Sequence, residues 1–192
     1  MKNIIIALRV AIVTLILTGI IYPLAVTGIA QVIFPDKANG SMIKNEKGET
    51  VGSKLIAQAF SKPSYFQPRP SAAGNGYDAS SSGGSNLGPS SQKLRERIKT
   101  DTERLIKENP DAKGPVPVEL VMASASGLDP HISTEAAMWQ IPRIAKSRNA
   151  DPEMIKKIIE NTTEGRDLFI FGEPRVNVLR LNMALDKKFG KA

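Results

Sequence analysis

The chain has one histidine, His131, two residues after Asp129 and close behind Ser124 and Ser126. These are the residue types of a Ser-His-Asp hydrolase, in which imidazole takes a proton from the serine and carboxylate orients the imidazole. No G-x-S-x-G elbow presents a serine as a nucleophile. Ser90-Ser91-Gln92-Lys93 fits the S-x-x-K pattern of serine acyl-transferases with a lysine base, but so does Ser41-Met42-Ile43-Lys44, and the companion S-D-N and K-T-G motifs are missing. One histidine, no cysteine and no tight carboxylate cluster cannot build a closed transition-metal site. Phosphate chemistry leaves one segment. The chain has no G-x-x-x-x-G-K-[ST] run, and Gly74-Asn75-Gly76 lacks the third glycine of a dinucleotide fingerprint. Ser82-Gly83-Gly84-Ser85-Asn86 remains, with a backbone able to approach a phosphate and hydroxyls able to donate to it. The same residue types build an ordinary tight turn.

These residues must be positioned by elements that the pattern predicts. Alternation either side of Asn45-Glu46-Lys47-Gly48 predicts a hairpin over 41–53, followed by a short amphipathic piece over 52–60. Residues 62–91 are rich in Ser, Gly, Pro, Ala and Asn, too polar for a core and too long for an ordinary connection. Tyr65, Phe66, Arg69, Tyr77, Asp78, Asn86 and Leu87 interrupt them, which predicts an ordered surface loop in place of a plain linker. Leu94, Ile98 and Leu105 recur at helical spacing before Pro110. Val118–Ala123 reads as a buried strand. Asp129-Pro130 and Asp151-Pro152 each read as a cap and first residue of a helix, which would put His131 in a first helical turn. The first of these helices runs to about Arg148, with Pro142 kinking or dividing it, and Met154, Ile155, Ile158 and Ile159 stripe the second. Val178, Leu181, Leu185 and Phe189 predict a last helix capped by Asn177.

Val10 to Phe34 runs 25 residues without a charge, about 37 Å as a helix and enough to cross a bilayer core. It exceeds the apolar region of a signal peptide and no small-x-small site follows it, so it reads as an uncleaved anchor. Lys2 and Arg9 before the span predict that the N-terminus stays cytoplasmic and residues 35–192 lie outside, although Lys37, Lys44 and Lys47 follow closely. Thr14, Thr18, Gly19, Thr27 and Gly28 are the small or hydroxylated types found where membrane helices meet, and Pro23 predicts a bend. The fold class is therefore α/β: a short cytoplasmic segment 1–9, a transmembrane helix 10–34, and a single helix-rich extracytoplasmic domain 35–192 with a small sheet and the Gly/Ser-rich loop 62–91. The net charge of +7 falls to +5 without Lys2 and Arg9. Interspersed signs and few aromatics argue against nucleic acid, and the absence of cysteine excludes disulfide and thiolate chemistry.

Longer motifs then carry a resemblance. Tyr65-Phe66-Gln67-Pro68-Arg69-Pro70-Ser71-Ala72, Tyr77-Asp78-Ala79, Ser82-Gly83-Gly84-Ser85-Asn86-Leu87, Val118-Glu119-Leu120-Val121, Ala123-Ser124-Ala125-Ser126-Gly127-Leu128-Asp129, Trp139-Gln140-Ile141-Pro142-Arg143-Ile144-Ala145 and Val176-Asn177-Val178-Leu179 with Leu181-Asn182-Met183-Ala184-Leu185 occur in this order. With Tyr22-Pro23-Leu24 in the anchor, they resemble the C subunit of the bacterial Kdp potassium-transporting ATPase over nearly the whole chain.

The resemblance implies a non-catalytic accessory subunit, single-pass in the bacterial inner membrane, within a high-affinity ATP-driven potassium importer. Its partners would be a potassium-conducting pore subunit, a P-type ATPase subunit and a small accessory subunit. The chain carries neither the D-K-T-G segment of a phosphorylated pump nor a T-V-G-Y-G filter, so it would have no cofactor of its own, ATP and potassium ion being handled by the complex. The family is described as assisting assembly and as a catalytic chaperone raising ATP affinity, its Gly-rich segment being compared with an ATP-binding-cassette signature. That implies nucleotide contact at Ser82, Gly83, Gly84 and Ser85. On residue types, Tyr65, Phe66, Arg69, Tyr77 and Asn86 are expected to dock a partner. Two other classes stay open: an anchored hydrolase using Ser90 or Ser126 with His131 or Lys93, and an anchored interaction protein without transport partners.

Overall fold

The computed structural model describes residues 2–45 and 47–191, which form two compact units, Met1–Val51 and Gly52–Ala192. In the first unit, α1 (Lys2–Ile16) passes through a π turn (Leu17–Ile21) into α2 (Tyr22–Ile33). The π turn explains how the helix tolerates Pro23. Proline has no N–H for the carbonyl four residues back and its ring crowds that carbonyl, and a widened turn just before it relieves the clash. The Thr14 and Thr18 hydroxyls each donate at 2.8 Å to the carbonyl four residues earlier, so neither needs water. No residue of this helical run is buried by the chain, leaving one apolar helix of 32 residues, Lys2–Ile33, long enough to span a bilayer. The turn of α3 (Pro35–Ala38) follows. The hairpin expected over 41–53 forms from β1 (Met42–Lys44) and β2 (Thr50–Ser53). Its turn is held by Asn45, whose side-chain oxygen accepts from the Lys47 and Glu49 amides at 2.9 and 3.0 Å. Glu46, part of the predicted turn, lies outside the described residues.

The second unit contains α4 (Gln92–Glu108), a 3-10 turn (Val118–Leu120), β3 (His131–Ser133), α5 (Thr134–Arg148), α6 (Pro152–Thr162), β4 (Thr163–Glu164), β5 (Arg175–Asn177) and α7 (Val178–Phe189). The sheet is antiparallel with β5 central, pairing Ile132 with Val176 on one side and Thr163 with Val176 on the other. Ile132 and Val176 are buried. With Ile144, Ile155, Ile159, Leu181 and Leu185, they form the core that the helices close over.

Several expected elements form as read. Leu94 and Leu105 are the buried face of α4, Asp151 caps α6 by accepting from the Glu153 amide, and Asn177 caps α7 by accepting from the Arg180 amide. Two expectations are corrected, and a third, that Pro142 kinks or divides its helix, is narrowed. Val118–Ala123 is not a strand but opens with the 3-10 turn, its Leu120 and Val121 amides donating back to the Pro117 and Val118 carbonyls at 3.0 and 3.1 Å instead of to a sheet neighbour. Asp129-Pro130 does not open a helix. The Asp129 carboxylate accepts from the His131 amide at 3.0 Å and leads into β3, which places His131 on a strand; Ser133 caps α5 instead. Pro142 lies inside α5 without dividing it. The amphipathic piece expected over 52–60 has no regular helix beyond the end of β2.

Candidate functional site

The feature that organises the second unit is the stretch from Pro63 to Gly88, which has no helix or strand and is fixed by side chains. Gln140 on α5 treats Gln67 as a neighbouring strand would. Its side-chain oxygen accepts from the Gln67 amide at 2.8 Å and its NH₂ donates to the Gln67 carbonyl at 3.1 Å. Asn182 on α7 does the same for Phe66, at 2.8 and 3.0 Å. Both amides are buried, so each bond forms where an unmade one is costly.

Two arginines extend the clamp. Arg143 donates to the carbonyls of Pro63 and Tyr65 and to Gln140. Burial, partly offset by Glu108, brings its pKa down to about 10, still charged at neutral pH. Arg148 donates to the Ser64 carbonyl at 2.7 Å, pairs with Asp186 at 2.7 Å, and lies over the Tyr65 ring at 4.9 Å. The Tyr65 hydroxyl donates to the other oxygen of Asp186 at 2.8 Å. Arginine suits these positions because its fork reaches several acceptors from one planar group.

A second set of bonds ties the Pro63–Gly88 stretch, the strap, to residues 122–129. Arg69 pairs with Asp129 at 3.0 Å and points toward the Met122 carbonyl. Burial raises the Asp129 pKa, but hydrogen bonds from His131 and the charge and bond of Arg69 outweigh it, holding the carboxyl below its usual range. The Ser71 hydroxyl donates to the Gly127 carbonyl at 2.6 Å, and Tyr77 donates to the Arg69 carbonyl at 2.8 Å. Burial pushes the Tyr77 phenol up to about 12, Arg104 opposing and Asp101 adding, so it stays a donor.

The Gly-rich run lies against this same segment. The Gly83 amide and the Ser82 hydroxyl both donate to the Ser126 carbonyl, at 2.9 and 3.0 Å. Gly127 has φ +66°, and a Cβ there would lie 2.6 Å from the Ala73 nitrogen; one on Gly84 would lie 2.9 Å from the Ala125 oxygen. These glycines permit backbone to pass backbone closely, a sufficient physical reason for their presence.

The sequence-predicted docking residues are placed unevenly. Phe66 is fully buried in the core and is corrected from a surface anchor to a core residue. The strap is thus not too polar for the core, since Ala73 is buried as well. Tyr65, Arg69 and Tyr77 hold the strap, while Asn86 is exposed at φ +50°. His131 has Asp129 at 3.6 Å and Glu164 at 3.7 Å on its two nitrogens, a carboxylate environment for an imidazole on a sheet edge. Among the described residues, no group of three or more His, Asp or Glu could hold a metal ion. Gln140, Arg143, Arg148 and Asn182 were not singled out from sequence for this clamp. A polar residue on the inward face of a helix, such as Gln140 between Ala136, Ala137 and Ile144, is the signal that marks one.

The motifs that meet at the strap are those that carry the sequence resemblance, and comparison with known proteins settles what they signify. A family model described as K+-transporting ATPase, c chain, matches residues 4–187. The chain belongs to this family. It is 58% identical over 184 residues to a potassium-transporting ATPase KdpC subunit of Myxococcus xanthus, covering 96% of this chain and 87% of the relative. Subunits of the same name from Koribacter versatilis and Rhodospirillum rubrum are 50% and 54% identical, covering 96% and 91% of this chain and 94% and 90% of theirs.

Proposed function

We propose that this chain is a single-pass accessory subunit of a high-affinity ATP-driven potassium importer, with residues 35–192 on the outer side of the bacterial inner membrane. Its partners are a potassium-conducting pore subunit, a P-type ATPase subunit that binds and hydrolyses ATP, and a small accessory subunit. The observation that carries this reading is the uncovered apolar helix Lys2–Ile33 on a chain of the c-chain family. A helix of 32 residues with no buried position needs lipid or other membrane helices around it. Lys2 and Arg9 support the cytoplasmic side for its start.

The same reading decides how ATP affinity is affected. A domain outside the membrane meets no cytosolic nucleotide, so its influence passes through the conformational equilibrium of its partners. The bonds of Ser82 and Gly83 to Ser126 support this route over direct nucleotide contact at Ser82, Gly83, Gly84 and Ser85, because two of the donors a phosphate would use are already engaged. Coupling of this kind is reciprocal. ATP binding to the purified complex is therefore expected to be tighter with this subunit than without it, and ATP is expected to tighten the subunit's equilibrium binding to its partners by the same factor. Equal ATP affinities with and without the subunit would overturn the coupling role.

A further inference from the structure

The strongest unassigned feature is the ten-residue connection between β4 and β5. Leu168, Phe169, Ile170 and Phe171 are 78, 96, 71 and 63% exposed, four consecutive large apolar side chains in solvent. They form an ordered tip. Asp167 and Phe171 exchange backbone bonds at 2.8 and 2.9 Å, Arg166 pairs with Glu173 at 2.9 Å, and Arg175 pairs with Asp167 at 3.3 Å. Leu168 and Phe169 hold φ of 52° and 64°, a conformation side chains usually avoid, so the tip is kept in one shape by its surroundings. Together the four side chains expose on the order of 500 Å² of apolar surface, the upper range for a single patch on a monomer and often a functional one.

We propose that this tip is the plug by which the domain docks into an apolar pocket on another subunit of the potassium-transporting complex. The inference rests on the accessory-subunit role proposed above and names its contact. Charge selects protein over lipid as the occupant. Glu164, Asp167 and Glu173 are matched by Arg166, Arg175 and Arg180 around the base of the tip, and each of these arginines is already paired with a carboxylate, whereas loops that enter anionic bilayers carry free basic collars. Size agrees. A stable interface buries about 800 Å² per partner around a fully desolvated centre, and this tip supplies that centre with a polar rim about it. The fixed tip loses little conformational freedom on docking, which favours a shaped protein pocket over fluid lipid tails.

The test uses the whole complex, purified through an affinity tag on another subunit. Phe169→Ser with Ile170→Ser is expected to lower recovery of this chain at least tenfold while leaving the thermal unfolding of the separately purified full chain in detergent, followed by fluorescence of its single tryptophan Trp139, unchanged. Benzoylphenylalanine at position 169 is expected to cross-link to another subunit of the complex. Recovery within twofold of wild type, loss of folding in the variant, or cross-linking only to lipid or to a second copy of this chain would each overturn the assignment. A complex prepared without this chain separates the two claims. If the remaining subunits assemble and transport normally, the accessory-subunit role fails; if they require the chain while the double variant assembles normally, only the tip assignment fails.

Discussion

Gln140 shows how one side chain can substitute for a strand. It both accepts from and donates to the backbone of Gln67, and it also accepts from Arg143 at 2.8 Å. Gln140→Leu keeps volume and helix propensity but leaves the Gln67 amide and an Arg143 N–H without their acceptor. The expected cost is about 2–3 kcal/mol, measured by urea unfolding of the full chain in detergent with Trp139 as the probe; a change below about 0.5 kcal/mol would show that water replaces the clamp. Tyr77 provides a pH signature. Its folded pKa, pushed up to about 12 by burial, exceeds the ordinary value of 10.0, so the folded state holds this proton more tightly than the unfolded state. The resulting stability is fully present below pH 10 and is lost as pH rises from 10 through 12. The stability difference between wild type and Tyr77→Phe should therefore be constant below pH 10 and shrink above it. A difference that stays flat across that window would mean that Tyr77 is solvated.

At the scale of elements, the sequence was readable wherever a local rule decided the outcome. The spacing of Leu94 and Leu105, the Asp151-Pro152 start of α6 and the Asn177 cap of α7 each depend on residues within a few positions. The strands of the second unit were not readable, because two or three residues with no hairpin turn beside them are too few to show alternation. Val118–Ala123 misled because hydrophobicity alone does not separate a strand from a turn that buries only Leu120 and Val121. The strap was read as surface because the groups that satisfy its backbone, Gln140 and Asn182, lie more than seventy residues away in the chain. Phe66 therefore changes role. Phe66→Ala removes a fully buried ring from the core, and about 3–5 kcal/mol of stability should go with it. Alanine at Tyr65, Phe66 and Arg69 together is expected to unfold the domain, not merely to release it from a partner. Native circular dichroism together with an unfolding midpoint equal to wild type would return these residues to the surface.

The whole molecule joins an apolar helix that its own chain leaves uncovered to a second unit whose strap is held by buried polar bonds. Membership of the c-chain family follows from the match over residues 4–187, while the motifs that make it recognisable, Tyr65 to Arg69 and Trp139 to Arg143, meet in the clamp. The central claim is that this second unit works from outside the membrane, acting on ATP affinity only through its partners. Its most direct test is the side on which the second unit lies. The chain has no cysteine, and Ser81 is exposed at the edge of the strap, so Ser81→Cys creates one accessible thiol with no background from this subunit. Intact cells with the outer barrier opened should be labelled at this position by a membrane-impermeant thiol reagent; labelling that occurs only after the inner membrane is broken would place the domain in the cytoplasm and contradict the account.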